Sequence, residues 1–180
     1  VVDNELLDQA VNNYVLAMAR HKTTLGFSCL DISTGTFRVS ESDSLDAVRD
    51  ELLRIAPSEV VLPEMAKDDP GWSTVMDLFS ERVITFWEDP AFDFTTARNR
   101  LIKQFNTRSL EGFGCNGYRA GVSAAGALLA YVRETQKQEV PHFAGLEAYH
   151  LGNYLLIDGP THRNLELTGN LRTGSSRGTL

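Results

Sequence analysis

The feature that most constrains the fold is a change of hydrophobic period near residue 43. Before it the chain reads as strands. Residues 14–19 and 25–32 are nearly unbroken apolar runs, and 36–39 alternate, with Phe37 and Val39 on one face and Thr36 and Arg38 on the other. Ser33-Thr34-Gly35 joins the last two as a tight hairpin. After it, helical and strand-like spacing take turns. Leu45, Val48, Leu52 and Ile55 recur every three to four residues behind a Ser42-Asp43-Ser44 cluster suited to N-capping, and Pro57 bars continuation. Residues 59–62 read as a short buried strand ended by Pro63, so the helix is a crossover and the new strand lies parallel to an earlier one.

The alternation repeats. Trp72, Val75, Met76 and Phe79 form a helical stripe before a strand candidate at 82–86, and Phe94, Ala97, Leu101 and Phe105 form another behind Asp93, which is placed to cap it. A Gly112-Phe113-Gly114 turn leads to the longest helix, about 120–138, whose Ala124, Ala125, Gly126 and Ala127 permit close approach, and Pro141 ends it. Beyond lie two short strand-like pieces, 148–151 and 154–157, a polar helix near 161–167 and a Ser/Gly-rich end. This order predicts an α/β domain over 1–140, a mixed β-sheet flanked by helices, followed over 141–180 by a partial, mostly helical segment. The ribonuclease H-like architecture has that order of elements.

Composition narrows the classes. With 42% hydrophobic and 23% charged residues the chain is ordinary globular material, and its net charge of −7 argues against a dedicated nucleic-acid-binding domain. The two cysteines, Cys29 and Cys115, have no metal-ligand spacing, and the four histidines are scattered, so no metal site is expected. No secretory leader opens the sequence and no apolar stretch is long enough to span a bilayer, so a soluble, cytoplasmic protein without a membrane partner is expected.

Phosphate-cradling glycine loops and nucleophile elbows are absent from the sequence. Two readings of its charged residues remain. Asp31, Glu64 and Asp89 follow successive strands and could be the carboxylates of a metal-dependent ribonuclease H-like nuclease, or loop acids with Asp31 capping its turn. Arg98, Arg100 and Lys103, beside Asn99 and Gln104, lie off the apolar stripe of their helix and could dock an acidic surface, contact a DNA backbone, or be solvated.

Several strings, taken in order, resemble the MutS family of DNA mismatch-repair proteins. They are Asn12-Asn13-Tyr14-Val15-Leu16-Ala17, Leu30-Asp31-Ile32-Ser33-Thr34-Gly35 with Phe37, Pro57-Ser58-Glu59-Val60, Thr107-Arg108 with Gly112-Phe113-Gly114, and Ala124-Ala125-Gly126-Ala127-Leu128-Leu129-Ala130-Tyr131. Thr135-Gln136, Pro141-His142, Asp158 and Arg163-Asn164-Leu165-Glu166-Leu167-Thr168 are similar to the path into the family's core. The resemblance implies a bacterial connector domain (domain II) of ribonuclease H-like fold over 1–140 and a linker with the truncated start of the core over 141–180. It implies a noncatalytic module without a cofactor of its own, whereas the parent uses ATP and magnesium. Its partners would be the other MutS domains, mismatched DNA only through the parent, and MutL. The family's Ala-Arg-Gln-Gln-Leu string corresponds to Ala97-Arg98-Asn99-Arg100-Leu101, so the resemblance places MutL docking on Arg98, Asn99, Arg100 and Lys103. On that expectation Arg100→Glu weakens MutL binding without lowering the melting temperature.

Overall fold

The computed structural model describes residues 13–136, 142–143 and 145–151. The chain divides into two units, Val1–Tyr149 and His150–Leu180, and the architecture below is that of the first. The expected strand at 154–157, helix at 161–167 and Ser/Gly-rich end lie outside the described residues.

A six-stranded mixed sheet in the order β5-β4-β1-β2-β3-β6 forms the frame. Its strands are β1 (Tyr14–His21), β2 (Thr24–Asp31), β3 (Phe37–Ser42), β4 (Glu59–Pro63), β5 (Val83–Trp87) and β6 (Leu146–Ala148). The first three form an antiparallel meander, with Tyr14 opposite Asp31 and Leu30 opposite Phe37. β4 then joins β1 in parallel, β5 joins β4 and β6 joins β3 in the same sense. This α/β arrangement fits the ribonuclease H-like expectation. The sixth strand begins two residues before the one predicted at 148–151.

Among the described residues four α-helices accompany the sheet: α1 (Leu45–Ile55), α2 (Ser73–Leu78), α3 (Phe94–Gln104) and α4 (Ala120–Thr135). α1 starts where Ser44 accepts a hydrogen bond from the Ala47 amide and stops at Ala56, whose left-handed backbone returns its N–H to the Leu52 carbonyl just ahead of Pro57. The stripe from Trp72 to Phe79 is broken rather than continuous. A single 3-10 turn, Pro70–Trp72, opens it, and the α-helix proper has only six residues.

Because β1 buries Val15, Leu16, Ala17 and Met18 in succession, the sheet must be covered on both faces. On one face Val15, Ala17, Leu30, Val39 and Val61 meet Leu101 of α3 and Val122, Ala125, Leu128 and Val132 of α4. The small residues of α4 decide how near it comes. A Cβ added at Gly126 would lie 2.4 Å from Ala97 of α3, so the two helices cross at backbone distance. α3 is therefore positioned by its packing on α4, and α4 by its packing on the sheet.

Candidate functional site

The expected carboxylate trio is not assembled. Asp31 ends β2, level with Tyr14 at the start of β1, and Val15 is in turn level with Glu59 at the start of β4. Glu64 and Asp89 follow the far ends of β4 and β5, where Pro63 pairs with Trp87. At about 3.3 Å per strand residue, Asp31 is separated from the other two by roughly 15 Å or more along the strands, too far to share metal ions about 4 Å apart. Each acid also has local work. Asp31 Oδ1 accepts from the amides of Ser33 and Thr34 at 2.9 and 3.3 Å. Burial alone would raise its carboxyl, but the bonds from Ser33 and Thr34 hold it below the usual range. Asp89 Oδ1 accepts from the Met65 amide at 2.9 Å, and Glu64 pairs with Lys67. Among the described residues no group of three or more acidic, His or Cys side chains is placed to hold a metal ion. The nuclease expectation is overturned, because the antiparallel turn into β2 sends Asp31 to the opposite end of the sheet.

α3 carries the other candidate. Asp93 caps it, accepting from the Thr96 amide at 2.9 Å and the Thr96 hydroxyl at 3.0 Å, and these bonds hold its carboxyl low. Ala97 and Leu101 face inward, fully buried. The four expected docking residues do not share one face. Asn99 and Lys103, one turn apart, are exposed on the outer side. Arg98 and Arg100 stand on opposite flanks, about 160° apart around the axis at ~100° per residue.

Arg100 turns toward α4. Its Nη1 donates to the Gly126 carbonyl at 2.9 Å and the Ala91 carbonyl at 3.3 Å, bridging α4 and the 3-10 turn Asp89–Phe92 to α3. Burial lowers its proton affinity, with Glu88 opposing that effect and Arg133 reinforcing it. The expectation that Arg100→Glu spares the melting temperature is therefore corrected: the side chain is a structural tie. Arg100→Ala should cost about 1–3 kcal/mol, since the charge-assisted bonds that tie α3 to the Gly126 and Ala91 carbonyls are lost. Lys103→Ala, with nothing to lose, should stay within about 0.5 kcal/mol of the parent. Thermal melting of the two variants side by side checks this.

On the Arg98 flank, α3 and the start of α4 border a cavity of about 320 Å³ lined by Phe94, Arg98, Leu110, Tyr118, Arg119 and Val122, among others. The Arg119 guanidinium lies over the Phe94 ring, 4.7 Å from its centroid. Cys115, also on the wall, is no nucleophile, because burial, aided by the negative charge of Glu41, pushes its thiol up to about 11. Nothing in the sequence signalled this cavity. Its walls come from a helix and from the irregular stretch 105–119, which has no hydrophobic period, and Arg119 reads there as a lone loop cation.

Among the described residues no helix is long and apolar enough to cross a membrane. A family model described as MutS domain II matches residues 13–144. The DNA mismatch repair protein MutS of Desulfosudis oleivorans is 53% identical over 180 residues, all of this chain and 20% of the relative. The MutS proteins of Desulforapulum autotrophicum and Synechocystis sp. are 40% and 35% identical over 185 and 188 residues, again with all of this chain covered. The chain spans about a fifth of the length of the curated relatives it matches.

Proposed function

The chain belongs to the MutS family, matching its domain II, and from that premise we propose that it is the connector of a bacterial mismatch-repair MutS, joining the mismatch-recognition domain to the core and offering MutL a docking surface along α3. In this reading it performs no chemistry of its own. Mismatched DNA and ATP with magnesium are engaged by the parent protein, and the connector relays their state as a body that turns about its linkers. A sheet covered on both faces suits such a role, since it moves without deforming.

The observation that carries the docking reading is the outer row of α3. Asn99 and Lys103 stand exposed on a helix fixed from behind by Ala97, Leu101 and Arg100, so a partner meets a preorganised amide and cation rather than a mobile loop. Titration of this chain with the N-terminal domain of the cognate MutL tests it. Lys103→Glu should weaken the complex about fivefold or more, increasingly so at low salt, and Asn99→Cys should support a cross-link. Full-strength binding by Lys103→Glu, with no cross-link from position 99, would remove α3 from the interface.

A further inference from the structure

Charge is distributed very unevenly along this acidic chain. Residues 94–133, which hold α3, the irregular stretch and nearly all of α4, carry Arg98, Arg100, Lys103, Arg108, Arg119 and Arg133 against a single carboxylate, Glu111. That is a local balance of +5 within a chain of −7. Arg100 and Arg133 are used internally, the latter donating to Gln104. Arg98 and Arg119 are not tied to a carboxylate, and Arg119 packs on the Phe94 ring. Neither forms an ion pair among the described residues, yet both line the 320 Å³ cavity beside α3. Arg98 and Arg119 share the lining with one carboxylate, Glu111, so the wall keeps a net positive charge, and a further carboxylate bound between the two guanidiniums would accept planar, paired hydrogen bonds.

The rest of the lining tells what carries the carboxylate. Phe94, Leu110 and Val122 give the cavity an apolar floor, and the Tyr118 hydroxyl is turned away to donate to the Tyr149 carbonyl at 3.2 Å. Apolar side chains beside two guanidiniums and one carboxylate, a net positive lining, fit a side chain with a methylene stem and an anionic tip. Duplex DNA is a poor match, because its phosphates are carried on a convex backbone and the acidic remainder of the chain repels it at long range.

We propose that this cavity is the recognition pocket for an acidic side chain, Glu or Asp, presented by the protein that docks on α3, with Arg98 and Arg119 holding its carboxylate and Phe94 fixing Arg119 in place. The proposal deepens the docking reading above and rests on it. Arg119 is exposed and Arg98 half-buried, so both can be changed without opening the core.

The test uses the whole chain and three probes, the N-terminal domain of the cognate MutL, a fluorescein-labelled oligoglutamate and a DNA duplex, each titrated against the parent, the double variant Arg98→Gln/Arg119→Gln, and Arg108→Gln. Arg108 belongs to the same basic segment but does not line the cavity, so it reports general charge alone. The expected result is a loss of tenfold or more for MutL in the double variant, less than threefold for Arg108→Gln, and competition by oligoglutamate. Equal MutL affinity for parent and double variant overturns the pocket while leaving the docking reading intact. If MutL fails to bind the parent, the docking reading fails and oligoglutamate decides alone: binding abolished in the double variant sustains the pocket, and absent or unaffected binding overturns it. A DNA duplex that binds more tightly than oligoglutamate, and through the same two arginines, overturns it in favour of nucleic acid.

Discussion

Gly26→Ala should lower the melting temperature by about 6–12 °C, the largest fall expected for a methyl added at any of the described glycines. Gly26 sits in β2 opposite Ala19 on one side and Glu41 on the other, under the first turn of α4. A Cβ there would lie 2.1 Å from the Ala120 carbonyl carbon and 2.1 Å from the Gly121 nitrogen. Those atoms are helix backbone, which cannot rotate aside as a side-chain tip can, so α4 must lift from the sheet. Overpacking of a tight core commonly costs 1–3 kcal/mol, and a backbone obstacle puts this site at about 3 kcal/mol or slightly more. At ~2–4 °C per kcal/mol for a chain of this size, the stated fall follows. Gly112→Ala is the control, since nothing lies within 4 Å of a Cβ at that position. An unchanged melting temperature for Gly26→Ala would mean that α4 does not rest on β2 at this distance. The consequence reaches the docking surface too. α3 is seated on α4 through the Gly126–Ala97 contact and the Arg100 bonds, so a lifted α4 carries Asn99 and Lys103 with it.

The seating of α4 was only half legible in the sequence. The run of Ala and Gly from 124 to 127 announced a close approach, and it is Gly126 that makes one with α3, but the partner of Gly26 is about a hundred residues away and no local pattern names it. Strands and long helices were readable where burial imposes a period: the alternation of Phe37 and Val39, the stripe Val48, Leu52, Ile55, and Asp93 before Phe94 all do what their spacing says. The turn between β1 and β2 was not, because Lys22 adopts a left-handed backbone with φ 56° where glycine or asparagine would have given warning.

The site divides in the same way. Helical spacing placed Asn99 and Lys103 outside, but Arg100 was read there too, because it stands on the edge of the apolar stripe, about 60° around the helix from Ala97, where a cation reads as solvated whether it meets water or a second helix. Only the crossing with α4 decides, and it supplies Arg100 with the Gly126 carbonyl. Asp31 is the converse case. An Asp two residues before Ser33 in a turn is read correctly as a local acceptor, and the functional alternative needed strand ends whose relative direction the spacing could not give.

Raising the pH from 8 to 12 should remove several kcal/mol of stability, and Cys29 should account for much of it. The thiol is 6% exposed on the face of β2 that meets α1. Burial drives it from 9.0 up to about 12; Arg38 and Arg54 oppose the rise, while the carboxylates of Asp31 and Glu51 add to it. Tyr131 is pushed up to about 12 by burial and by donating to Glu59, and Tyr149 is raised further, by burial and by its 2.8 Å bond to Glu51. In each case the folded state keeps a proton that the unfolded chain releases near pH 9 to 10. Above that pH the native state binds more protons than the unfolded one, so stability falls with pH, and it goes on falling until the folded group itself ionises. For Cys29 the interval of about 3 pH units corresponds to about 4 kcal/mol at ~1.4 kcal/mol per unit, a large part of the 5–15 kcal/mol typical of a domain. Urea unfolding at each pH reads the effect directly. Cys29→Ala should be less stable than the parent at pH 8, by about 1 kcal/mol for the lost sulfur contacts, and more stable at pH 11, so that the two curves cross. Parallel curves would place the alkaline loss on Cys115 and the tyrosines instead, and Cys115→Ala or Tyr149→Phe, each lacking the ionising group, would then be the variant that flattens the profile.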